Sequence, residues 1–148
     1  ASFFTAYAIT RLLFSLFGGL WVDRFTAKTL FRFYLIPIGL GLLAFAYINS
    51  IIGALIFLIL MGITVGMSGT IKTSVLAEVY GIKKLGTIRS LFTMFMVLST
   101  ALGPLIIGHM IDMGLSIQII MISLSLFVLL CILNAQRIKY VPRIKTQL

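Results

Sequence analysis

Arg11 is the only charged residue among positions 1–22, and it stands midway along an apolar run. Tyr7 and Ser15 lie four residues to either side, so on a helix the three side chains share one face. A guanidinium is a planar, permanently charged fork that matches a carboxylate with two parallel hydrogen bonds. Its charge at mid-depth in a membrane helix costs about 2.5–3.5 kcal/mol to insert, so it requires a cavity or a partner. Two chemistries satisfy it: a carboxylate on a bound solute, or one on a neighbouring helix. Thr64, Ser68 and Lys72 repeat the four-residue spacing further along. Thr64 and Ser68 are therefore expected to join Tyr7, Arg11 and Ser15 in binding solute, with Lys72 reaching for the interface by its long stem. Gly62, Gly66, Gly69 and Thr73 form a small-residue face of the kind that lets helices pack closely.

The acids are as informative as the bases. Asp23, Glu78 and Asp112 are the only three, and none falls at mid-depth of an apolar run. A proton relay through this chain alone has no intramembrane carboxylate to use. His109 lies near the end of a run and reads as an interfacial polar group. No His, Cys, Asp or Glu cluster has metal-ligand spacing, and no Ser/His/Asp set can converge, so neither an enzyme nor a cofactor or metal is expected. Cys131 stands alone in an apolar run, which excludes a disulfide framework and fits a small buried side chain.

These side chains must be positioned by membrane helices. The 148 residues are 61% hydrophobic and only 10% charged, too few polar groups to coat a soluble core of this size. Residues 33–71 contain no Asp, Glu, Lys or Arg, and at about 1.5 Å per residue they run roughly twice the ~30 Å hydrocarbon thickness. Spans are expected near 2–22, 31–48, 51–74, 89–109 and 114–135, all helical because lipid offers no backbone partners. Asn49-Ser50 marks the turn within the long uncharged run, and Gly81, Gly86 and Gly114 mark other connections. The net charge of +9 is not a nucleic-acid signature here, because the bases cluster between spans. Arg24, Lys28, Arg32, Lys83, Lys84, Arg89, Arg137, Lys139, Arg143 and Lys145 all fall at one end of the bundle, which makes that end, and the C-terminus, cytoplasmic.

Between the first two spans the chain reads Gly19-x-x-x-Asp23-Arg24-x-x-x-Lys28. This resembles the loop motif of the major facilitator superfamily, although Thr26 and Ala27 stand where that family has a Gly and a base. The fourth span, TALGPLIIGHMID, looks like the Gly-Pro-x-x-x-Gly helix of the same superfamily, carried by Gly103, Pro104 and Gly108. The resemblance implies that Gly19, Asp23, Arg24 and Lys28 form a gating loop motif and that Gly103, Pro104 and Gly108 bend and pack a helix, while the four-residue spacing of Gly62 and Gly66 itself points to helix packing. It admits helices two to six or eight to twelve of a two-half carrier. The degenerate motif and the stretch LAEVYGIKKLGTIRSLFTMFMVLSTALGPLIIGHMID, similar to monocarboxylate and oxalate/formate type members, favour eight to twelve. In those members an arginine of helix eight binds the substrate carboxylate, and Arg11 looks equivalent. A helix-eleven lysine found in oxalate-type members has no counterpart in residues 90–108, which points to a single carboxylate.

The expected fold is thus an all-α membrane protein of five transmembrane helices, a partial major facilitator fold comprising helices eight to twelve. Residues 1–136 would be a five-helix fragment of the C-terminal half, and residues 137–148 a basic cytoplasmic tail. The expected function is secondary active transport of a small organic anion by alternating access in a cell membrane. Its partners would be that solute, the bilayer and a missing N-terminal half, with no nucleic acid. The alternatives are the N-terminal half of such a carrier, or a five-span scaffold that transports nothing.

Overall fold

The computed structural model describes residues 2–25, 27–48, 50–81 and 85–137. They form six helices: α1 (Ser2–Arg24), α2 (Ala27–Phe33), α3 (Ile36–Tyr47), α4 (Ile51–Tyr80), α5 (Leu85–Asp112) and α6 (Ile117–Arg137). Five stretches are long and apolar enough to cross a membrane, α2 and α3 together supplying the second. No strand occurs among the described residues. The all-α architecture of five membrane-spanning stretches expected from the sequence is the one observed among the described residues. Residues 138–148, which hold most of the basic tail, and Lys83 and Lys84 lie outside the described residues.

Helix ends depart from the expected spans where local chemistry allows the helix to continue. α4 reaches Tyr80 rather than residue 74, because no breaker intervenes before Gly81, whose φ of 76° a side chain would resist. At 30 residues, or about 45 Å, α4 exceeds the hydrocarbon core and must tilt or project. α5 begins four residues before the expected start and runs unbroken through Pro104. The second span is interrupted instead. Pro37 occupies the first turn of α3, and its ring would collide with the carbonyl four residues back, that of Phe33, where α2 stops.

The helices assemble as a row, α1–α4–α3–α6, with α4 between α1 and α3 and with α6 on the far side of α3. A Cβ placed on Gly66 would lie 2.6 Å from the Arg11 carbonyl oxygen and 3.1 Å from Phe14 Cβ, and one on Gly62 would lie 3.1 Å from the Tyr7 carbonyl oxygen. Gly18 returns the contact from α1, 3.4 Å from the Met67 Cα by the same measure. α3 seats Gly41 against Phe57 and Leu60 of α4, and the Ser125 hydroxyl of α6 donates to the Gly39 carbonyl at 3.2 Å. Ile71 and Ile120 are the largest side chains fully enclosed by this row. No residue of α5 is buried.

In lipid the apolar effect does not push helices together, so close van der Waals contact carries the packing. Gly66→Ala should destabilise the protein by about 1–3 kcal/mol, since the new methyl displaces α1 backbone. Gly69→Ala, where a Cβ meets open space, should be neutral or gain up to about 1 kcal/mol of helix propensity. Thermal midpoints of the two variants in detergent check the pair.

Candidate substrate groove

Because Thr10, Phe14 and Gly18 turn α1 toward α4, the neighbouring rows of α1 lie on its free flank. There Tyr7, Arg11 and Ser15 line an open groove of about 440 Å³ with Ala8, Leu12 and Leu16. Arg11 and Ser15 are exposed and Tyr7 is half-buried. Arg11 makes no ion pair or hydrogen bond with another described residue. Counting along the helix, Asp23 at the end of α1 is about 18 Å from Arg11. The groove therefore offers a fixed positive charge at mid-span, a phenol and a hydroxyl one turn away on either side, and an aliphatic wall. That set can orient a small anion with an apolar portion.

Thr64 and Ser68 do not line this groove. Thr64 is 4% exposed, and its hydroxyl donates to the Leu60 carbonyl at 3.1 Å. It shares the α4 face of Phe57 and Leu60, which meets α3, so α4 stands between it and Arg11. The Ser68 hydroxyl donates to the Val65 carbonyl at 2.9 Å, and Lys72 is exposed one turn on. The wall residues Ala8, Leu12 and Leu16 escaped the sequence reading. Their signal was the i, i+4 row adjacent to the polar one.

The loop-motif residues sit on helix ends. Gly19, Asp23 and Arg24 belong to the last turns of α1 and Lys28 to the first turn of α2, so only Phe25 and Thr26 separate the two helices. The Phe25 N–H still donates to the Trp21 carbonyl at 2.7 Å. A Cβ on Gly19 would meet nothing within 4 Å, and it is Gly18 that lies against α4. Gly103 and Gly108 likewise face open space on α5, one on each side of Pro104.

The sequence model of the Major Facilitator Superfamily matches residues 1–147, essentially the whole chain. The chain belongs to the Major Facilitator Superfamily. No curated protein and no solved structure matches it. Members of the superfamily are membrane transporters of small molecules rather than enzymes, and this chain is accordingly a multi-pass membrane protein of the major facilitator type.

The separation of the two polar stripes has a direct chemical readout in a Cys131→Ala background. Ser15→Cys on the groove should react with a charged methanethiosulfonate added to membranes. Thr64→Cys, enclosed between α4 and α3, should resist the reagent until the protein is denatured.

Proposed function

We propose that this chain forms helices eight to twelve, in the C-terminal half, of a secondary transporter that carries a small organic anion, a monocarboxylate in the first instance. The observation that carries the reading is Arg11, a guanidinium exposed at mid-span in a groove and without a protein partner among the described residues. A charge at that depth is retained at a cost of a few kcal/mol, and binding a carboxylate offsets it. Tyr7 and Ser15 would donate to the same solute, while Leu12 and Leu16 would contact its hydrocarbon portion. The groove of α1 is one wall, and the opposing wall would come from the N-terminal half, with the two halves rocking about a midplane site. By the positive-inside bias the basic end, and with it the C-terminus, would face the cytoplasm across a cell membrane. Thr64 and Ser68 fit a bracing role better than solute contact, since their hydroxyls are occupied by their own helix.

Uptake of labelled monocarboxylates into proteoliposomes that hold this chain together with its N-terminal half tests the assignment. Arg11→Lys keeps the charge but loses the fork, and Arg11→Ala loses both. A charge-assisted hydrogen bond contributes about 1.5–3 kcal/mol, so uptake should fall by roughly 10- to 100-fold. Uptake at the parental rate in either variant would remove Arg11 from the site. Properly inserted protein that transports no carboxylate, yet loses assembly with Arg11→Ala, would favour the scaffold reading.

Asp23, Arg24 and Lys28, at the junction of α1 and α2, are proposed to act on closure of the cytoplasmic side. Asp23→Asn should slow solute exchange several-fold while solute affinity stays within about twofold, because the junction is about eighteen ångströms along α1 from Arg11. Parallel exchange and equilibrium-binding measurements separate the two effects.

A further inference from the structure

At the opposite margin of the row, a second groove of about 400 Å³ runs between the α2–α3 junction and α6. Its walls are apolar, formed by Phe31, Leu35, Phe127 and Leu130, and Asn134 stands at its basic end. The groove arises from the break before Pro37, which parts α2 from α3 beside α6. Its wall is stiffened by Tyr34, whose ring lies 5.5 Å from that of Phe31. Along α6 the stretch from Phe127 to Asn134 covers about 10 Å, within the ~15 Å depth of one leaflet's hydrocarbon.

Charge on the helices that form the groove has one sign. α2, α3 and α6 contain no Asp or Glu. Arg32 follows Phe31 directly, and Arg137 lies one turn beyond Asn134 on the same face of α6. Arg137 is exposed and Arg32 half-buried. An apolar slot of leaflet depth with an amide at its basic end, flanked on its own helices by Arg32 and Arg137, matches a molecule with a hydrocarbon chain and an anionic head. The transported solute is not that molecule, because α4 and α3 separate this margin from Arg11.

We propose that the groove between α2–α3 and α6 is a binding site for an anionic phospholipid, with one acyl chain along Phe31, Leu35, Phe127 and Leu130 and the phosphate held by Arg32 and Arg137. The hydrocarbon itself gives no preference over bulk lipid, so selectivity comes from the headgroup. Each arginine near a membrane surface favours an anionic lipid by about fivefold.

The test is lipid retention. The protein is placed in nanodiscs of equal phosphatidylglycerol and phosphatidylcholine, extracted gently, and its co-purifying lipid counted by mass spectrometry. Phosphatidylglycerol should be retained in preference by more than tenfold. Arg32→Gln and Arg137→Gln should each cut that preference by about fivefold. Leu130→Trp, which fills the slot, should release the lipid whatever its headgroup. All three substitutions leave the row's buried contacts in place, and unchanged elution and helicity establish folding. Equal retention of the two lipids by the parent protein would overturn the proposal. So would a preference that survives Arg32→Gln with Arg137→Gln but vanishes on neutralising Lys139, Arg143 and Lys145, which would assign the effect to the tail.

Discussion

The seat of α1 on α4 sets the geometry of everything else in the chain. Gly62 and Gly66 present bare backbone to the carbonyls of Tyr7 and Arg11, and Gly18 answers from α1 against Met67. Within a bilayer such contact substitutes for the hydrophobic effect, which vanishes between surfaces equally at home in lipid. The approach is so close that α1 has one rotation available: Thr10 and Phe14 inward, the Arg11 row on the flank. An extra methyl at Gly66 would both separate the helices and turn the guanidinium.

The number of spans was legible from the chain itself, because an uncharged run of 39 residues in a ~30 Å medium admits only two of them. Pro37 and the positive φ at Gly81 explain where the boundaries moved. The polar stripes were legible only in part. Spacing by four assigns side chains to a common face, and it did so equally for Tyr7–Arg11–Ser15 and for Thr64–Ser68–Lys72. It carries no information on the direction in which that face points. Direction is decided by the glycines, for Thr64 lies about 160° around α4 from either Gly62 or Gly66 and is thereby turned to α3. Gly62 and Gly69 looked equivalent on a helical wheel. Only the three-dimensional path of α1, which crosses α4 near Gly62 and Gly66 and leaves Gly69 open, distinguishes them.

α5 shows how little a membrane helix asks of its neighbours. Its residues are unburied, yet it runs unbroken for 28 residues through Pro104, which removes one backbone donor. Lipid enforces the remaining ladder, since an unpaired amide there costs several kcal/mol. Thr93 and Thr100 turn their hydroxyls back to the Arg89 and Met96 carbonyls at 2.9 and 2.8 Å, so even these polar groups are satisfied within the helix. A helix sustained this way keeps its shape before it acquires partners, and its small residues Gly103 and Gly108 stay free for contact.

The row arrangement then gives the two edges of the chain different physical tasks. At the α1 edge a single permanent charge sits at mid-span in an open groove, a depth at which a charge calls for a specific anion, a protein partner or a water-filled cavity. At the α6 edge Arg32 and Arg137 stand within a turn or so of the basic ends of their spans, where a charge that reaches the headgroups costs little and any anionic head can serve. Under the two proposals, depth rather than residue type would separate the arginines: the fork of Arg11 would be selective because its alternatives are expensive, and those of Arg32 and Arg137 permissive because theirs are cheap. Between the edges, α4 and α3 bury Thr64 and Ser125 with every hydroxyl paired to a carbonyl. No buried side-chain polar atom among the described residues lacks a partner, so the interior of the row has no residual polarity with which to attract a solute.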